Sequence, residues 1–127
     1  MSLLPDDRRY AKTHEWALDH GDGTISVGIT DHAQELLGDV VFVELPAVGR
    51  MVTLGGECAL VESVKAASDI YSPVSGEILA VNPAVGETPE VINQDPYGAG
   101  WLFKVRLANP REFLTLLDGD SYLSGLD

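Results

Sequence analysis

The chain has 127 residues, 45% of them apolar, with 20 acidic against 8 basic side chains and a formal net charge of −12. That length suits one domain over residues 1–127, able to bury roughly two thirds of its unfolded surface without a disulfide or metal staple. The charge repels phosphates and anionic lipid heads, and no apolar run approaches the ~20 residues of a membrane helix, so neither nucleic acid nor a membrane is expected as a partner.

In chain order, residues 1–10 carry neither the apolar core of a signal peptide nor a Ser/Arg-rich transit character, so a cytoplasmic bacterial or archaeal protein is expected, or a mitochondrial-matrix protein in mature form. Thr-Ile-Ser-Val-Gly-Ile at 24–29 alternates as a strand. It follows His20-Gly21-Asp22-Gly23, whose glycines supply the positive φ of a tight hairpin. Thr30 caps a short helix over 31–37, and Gly38 stops it. Residues 40–45 are β-branched and aromatic, a strand ended by Pro46. Cys58, the one cysteine, cannot form an internal disulfide or a CxxC pair, and within Cys58-Ala59-Leu60-Val61 it reads as a small buried hydrophobe. Residues 101–107 read as a strand. Asn109 then caps a C-terminal helix with Pro110 at its first position and Glu112 as capping-box partner. Phe113, Leu114, Leu116 and Leu117 give that helix an apolar stripe to dock on the sheet. Short apolar runs punctuated by Gly, Pro, Asn and Asp every eight to twelve residues indicate a sandwich or barrel of short strands.

Pro46-Ala47-Val48-Gly49 recurs as Pro83-Ala84-Val85-Gly86, each copy after a strand-like run (40–45 and 76–81), as if one turn were built twice. Between the copies lies Glu62-Ser63-Val64-Lys65-Ala66-Ala67-Ser68-Asp69. Two related half-sheets joined there place Lys65 at a hairpin tip, at one extremity of the molecule. A carrier lysine needs that position, because its stem must project into solvent and visit several enzymes. An ordinary exposed lysine on a turn satisfies the same spacing.

Residues 61–77 closely resemble the lipoylation region of glycine cleavage system H-proteins. Lys12-Thr13-His14-Glu15-Trp16 is similar to that family's N-terminal stretch. Val27-Gly28-Ile29-Thr30-Asp31-His32-Ala33-Gln34 is similar to its first-helix entry, and Leu37 to Pro46 to its next strand. Val91-Ile92-Asn93-Gln94-Asp95-Pro96-Tyr97-Gly98 and Gly100-Trp101-Leu102 are similar to its C-terminal motifs. The blocks keep the family's order over about residues 12–117. The resemblance implies a mainly β barrel-sandwich hybrid of short antiparallel strands, lipoyl-domain-like, with one short helix in the N-terminal half and one at the C-terminus. It implies lipoate in amide linkage on Lys65 and a non-catalytic carrier role.

The implied partners are a pyridoxal-phosphate glycine decarboxylase (P-protein), a tetrahydrofolate-dependent aminomethyltransferase (T-protein), dihydrolipoamide dehydrogenase (L-protein) and the lipoate-attaching enzymes. The arm would carry the aminomethyl group from the first to the second, then electrons to the third. The cofactor and partners do the hard chemistry, and tethering raises the local concentration of the carried group. Glu15 matches a glutamate that contacts the bound amine in a water-excluding cleft, as a carboxylate suits an ammonium. Strand alternation alone puts His14 and Trp16 on one face and leaves Glu15 facing solvent. Glu62 and Asp69 are candidates for recognition by the attaching enzymes. Leu36 departs from members that carry a polar residue there.

His14-Glu15 and Asp31-His32 offer acid–base pairs, but no serine or cysteine motif accompanies them and their spacing is not of the zinc type. A biotinyl domain surrounds its lysine with methionines, whereas Val64 and Ala66 flank Lys65. A 2-oxo acid dehydrogenase lipoyl domain has an acidic residue where Val64 stands. A relay that hands octanoyl or lipoyl groups to other proteins satisfies the same residues.

Overall fold

The protein, described here from a computed structural model over residues 4–126, is mainly β, with two antiparallel sheets and several short helices. One sheet runs β1 (Arg9–Tyr10), β2 (Glu15–Asp19), β3 (Thr24–Ile29), β9 (Phe103–Leu107), β8 (Gly76–Val81) and β5 (Met51–Val52) from edge to edge. The other consists of β4 (Val40–Glu44), β6 (Glu57–Ser63) and β7 (Ala67–Tyr71). Between them lies the main core, with Ala17, Ile25, Val27, Ile29, Val43, Val61, Ile70, Ile78, Phe103 and Val105 all buried. Period-2 alternation delivers this layer, because inward residues of both sheets meet face to face. Cys58 is buried as expected, its thiol giving a long hydrogen bond to the Ile70 carbonyl (3.4 Å). Burial pushes that thiol's pKa up to about 12, which keeps it an inert hydrophobe.

Most local signals in the first half of the chain are met at the expected residues, although β4 ends at Glu44, one residue short of the expected 40–45. Gly21 and Gly23 take φ of 81 and 87 between β2 and β3. Thr30 caps α1 (Asp31–Leu37) by accepting from the Ala33 amide, and Gly38 ends the helix at φ 79.

The tetrapeptide repeat is a different matter. Pro46-Ala47-Val48-Gly49 is a turn, with Gly49 at φ 92 donating its N–H to the Ile78 carbonyl (2.8 Å). Pro83-Ala84-Val85-Gly86 is instead the body of α2 (Pro83–Glu87). The preceding residue explains the difference. Asn82 accepts from the Ala84 amide and caps a helix, whereas Leu45 has no acceptor to offer. Val85 is fully buried while Val48 is 62% exposed. The expectation of one turn built twice is therefore corrected.

The C-terminal expectations also need amendment. Asn109 caps α4 (Pro110–Leu114), but Glu112 does not close a capping box. Its carboxylate accepts from the Ser75 amide (2.7 Å) and the Ser75 hydroxyl (3.0 Å), pinning α4 to the loop before β8. Phe113 and Leu116 pack against the core, whereas Leu114 is 66% exposed, because a helix this short presents only one turn to the sheet. A further helix, α5 (Gly119–Ser124), follows, capped by Asp118 accepting from Ser121. It brings Tyr122 into a second apolar cluster with Tyr10 and Trp16 on the outer face of β1 and β2. Tyr10 and Tyr122 stack at 5.2 Å, and the Trp16 indole donates to the Pro96 carbonyl (2.9 Å). α3 (Val91–Gln94) adds Ile92 to the main core.

Trp16 and Gly28 are direct cross-strand partners. A Cβ on Gly28 would stand 2.5 Å from the indole ring, so a glycine is required for the ring to lie flat on β3. Gly28→Val is expected to cost roughly 3 kcal/mol, as overpacking at a buried site does. Urea denaturation reads this directly, and a loss under ~1 kcal/mol would show that Trp16 has room to move.

Candidate functional site

β6 and β7 pair in antiparallel register through Glu62↔Ala67, leaving residues 63–66 as the hairpin tip. Ser63 builds that tip. Its amide donates to the Ala66 carbonyl (2.8 Å), and its hydroxyl oxygen accepts from the Lys65 and Ala66 amides (3.2 and 3.1 Å). The Val64 amide donates to the Asp39 carbonyl (3.0 Å), tying the tip to the segment between α1 and β4. The backbone of the tip is thus held while the Lys65 side chain is exposed. Its stem lies back over Gly38, where a Cβ would come within 3.1 Å of Lys65 Cε.

Beside the hairpin runs a cleft of about 270 Å³. Residues 66–70 form one wall, Ala33, Leu36 and Leu37 of α1 the opposite one, and Thr13, His14 and Ile29 the end. Most of this lining is aliphatic, so the cleft suits a flexible hydrocarbon chain with few polar groups.

Glu15 is neither solvent-facing nor part of the cleft lining. It is 1% exposed, pointing inward from β2 beside Ala17. Its carboxylate accepts from the Tyr71 amide at the end of β7 (3.2 Å) and from the Thr13 hydroxyl, bridging the two sheets directly behind the end wall. Burial raises its pKa from the ordinary 4.5 to about 7, and the two hydrogen bonds only partly oppose this. Alternation holds along β2, with Glu15 and Ala17 on the inner face and Trp16 on the outer one, but both faces are covered, so the face carrying Glu15 does not meet solvent.

Glu62 and Asp69 share the outer face of the hairpin. Glu62 opposes Ala67, and Asp69 lies two residues further along the same strand, a diagonal neighbour. Glu62 is half-buried and Asp69 exposed, and Asp69 also borders the cleft. The two acid–base pairs do not form. Glu15 is taken by Thr13 and Tyr71, and the Asp31 carboxylate accepts from the Gln34 side chain (2.8 Å). Among the described residues no group of three His, Cys, Asp or Glu side chains is placed to hold a metal ion.

Sequence reasoning did not name Thr13, His14 or Ile29 as cleft residues. Ala33 and Leu37, four apart on one face of α1, carried a legible signal. The end wall carried none, since it is assembled from three separated segments.

The family model for the glycine cleavage H-protein matches residues 8–126. The chain is 57% identical over 122 residues to the glycine cleavage system H protein of Cronobacter sakazakii, covering 96% of this chain and 95% of that one. It is 54% identical over 122 residues to the one from Laribacter hongkongensis, covering 96% of each. The crystal structure of a glycine cleavage system H protein from Mycobacterium marinum superposes with a TM-score of 0.87 at 44% identity, covering 95% of this chain and 97% of that one.

Proposed function

The chain belongs to the family of glycine cleavage H-proteins, and from that premise we propose that it is a lipoyl carrier whose arm is attached to Lys65. One observation supports this above the others. Lys65 stands exposed on a hairpin tip whose backbone is hydrogen-bonded in place, over an apolar cleft. The lysines of the chain are Lys12, Lys65 and Lys104, and Lys104 is half-buried on β9 with its ammonium over the Trp101 ring. Peptide mapping after lipoylation is expected to put the lipoyl mass on the peptide containing Lys65. The same mass on Lys12 or Lys104 would overturn the assignment.

The bound group supplies disulfide and dithiol chemistry; the chain supplies location and shelter. The aliphatic walls exclude water from an aminomethyl group held on the arm, which would otherwise decompose to formaldehyde and ammonia. Glu15 lies behind the end wall with a carboxyl near neutrality. An amine arriving there uncharged takes the carboxyl proton, which leaves an ammonium facing an anionic carboxylate, with Thr13 as the intervening hydroxyl. In this reading the protein passes the one-carbon unit from a pyridoxal-phosphate decarboxylase to a tetrahydrofolate-dependent aminomethyltransferase, and its electrons to dihydrolipoamide dehydrogenase, without catalysing a step itself. Its bacterial relatives favour the cytoplasm as its compartment.

Glu62 and Asp69 lie on one face beside the tip, positioned for contact by a basic lip of the attaching enzymes. Charge reversal of either to lysine is expected to slow lipoylation by a purified ligase about fivefold, the range of a rim charge at an interface. Unchanged rates would leave these carboxylates as solubilising groups only.

A further inference from the structure

α1 forms one wall of the arm cleft, with Lys65 over Gly38 at its C-terminal end and His14 against His32 of its first turn. Seven helical residues span about 10 Å. A lipoyl chain extended from Lys65 Nζ brings its sulfurs roughly the same ~10 Å, at ~1.5 Å per bond. An arm laid along α1 therefore ends at His14.

His14 is held there by an unusual arrangement. Its backbone sits at φ 77, and its carbonyl accepts from the Thr30 amide (3.0 Å). Its Nδ1 lies 2.6 Å from the Tyr122 hydroxyl, which lies 2.8 Å from the Thr30 hydroxyl. Thr30 Oγ1 in turn accepts from the Ala33 amide (3.2 Å). Each hydroxyl has one hydrogen. The sequence Thr30 hydroxyl to Tyr122 hydroxyl to His14 Nδ1 uses both. The reverse order gives Thr30 Oγ1 a second donor and leaves its own hydrogen without an acceptor. Nδ1 is then an acceptor, and the imidazole is neutral with its proton on Nε2. Nε2 is the ring nitrogen turned away from Tyr122. Burial and the adjacent His32 ring also favour the uncharged form.

We infer that Tyr122, on α5, is a positioning residue for the arm: it holds His14 as the neutral Nε2–H tautomer, so that the end wall offers the arm's sulfur end an N–H donor and no positive charge. This rests on the lipoyl reading of Lys65. A cationic imidazole at that wall would repel an aminomethyl ammonium, and an Nε2 acceptor would leave the sulfur without a donor. α5 thereby contributes to shelter through its hydroxyl, although Tyr122 does not line the arm cleft.

The test uses the full chain, with ¹⁵N-labelled histidine, lipoylated and then loaded from glycine by its decarboxylase. Histidine ¹⁵N shifts are expected to show His14 protonated on Nε2 in the wild type and a tautomer mixture in Tyr122→Phe, which keeps the stack on Tyr10. Formaldehyde release from the loaded Tyr122→Phe protein is expected to be about fivefold faster, the equivalent of one neutral hydrogen bond of about 1 kcal/mol. His14→Gln, which retains an N–H donor, is expected to release more slowly than His14→Leu. A wild-type proton on Nδ1, an unchanged release rate in Tyr122→Phe, or equal rates in His14→Gln and His14→Leu would each overturn the inference. The tautomer is read equally well on unmodified protein. A failure of the carrier reading, seen as no lipoyl mass on Lys65, is thus distinguishable from a failure of the Tyr122 arrangement.

Discussion

Lys65→Arg should give a folded protein that takes up no lipoate and supports no glycine oxidation. A guanidinium keeps its proton under all ordinary conditions and cannot serve as the acyl acceptor that a lysine amine becomes on deprotonation. The substitution keeps length and charge at an exposed tip whose shape is set by Ser63 and the Asp39 carbonyl rather than by the side chain. The melting temperature is therefore expected to stay within about 2 °C of wild type, as for other exposed substitutions. The check is reconstitution with the decarboxylase, the aminomethyltransferase and dihydrolipoamide dehydrogenase, following glycine-dependent NADH formation alongside intact mass. Lys12→Arg and Lys104→Arg serve as controls and should retain turnover. Sustained glycine oxidation by Lys65→Arg would end the carrier assignment for this lysine.

Glu15→Gln should make the unloaded protein more stable and the loaded protein shorter-lived. In the folded chain Glu15 titrates at about 7 against an ordinary 4.5, so the native state holds a proton that the unfolded chain releases between those values. Unfolding free energy therefore falls as pH rises from about 4.5 to about 7 and levels off on either side, by roughly 3 kcal/mol in all at ~1.4 kcal/mol per pH unit. Glutamine cannot ionise, and its amide oxygen can still accept from Tyr71 while its NH2 donates to the Thr13 hydroxyl. The variant should lose this slope and exceed wild type at pH 8 by about 1–3 kcal/mol. Urea denaturation at pH 5 and pH 8 measures it. Parallel pH dependence in the two proteins would mean that Glu15 is not the titrating group.

The opposite effect is expected on function. Without an anion behind the end wall, the aminomethyl ammonium loses a charge-assisted partner of ~1.5–3 kcal/mol, so formaldehyde release from the loaded arm should speed by tenfold or more. An unchanged release rate would assign Glu15 to tying the sheets together and nothing else. A gain in stability joined to a loss of shelter is the usual mark of a group kept for function at a cost to the fold.

Much of this molecule was legible in local chemistry. The Thr30 cap, the Gly38 stop, the glycine turn before β3 and the strand from 24 to 29 all depend on neighbours within a few residues, so their determinants lie side by side in the chain. The position of Lys65 was legible for the same reason, since a small-residue turn between two apolar runs makes a hairpin. The Pro-Ala-Val-Gly repeat misled because four residues do not carry their own cap: Asn82 and Leu45, just outside it, decide between helix and turn.

Segment by segment, then, the chain alone determined its mainly β character, its first helix and the lysine at the hairpin tip, because hydrogen bonds and periodicity act over short separations. Only the tertiary structure decided that Glu15 is buried against Tyr71, that Glu112 reaches Ser75 and that Tyr122 meets His14. Those contacts join residues far apart in sequence, and burial and proton affinity follow from what the whole fold packs around a group rather than from its neighbours along the chain.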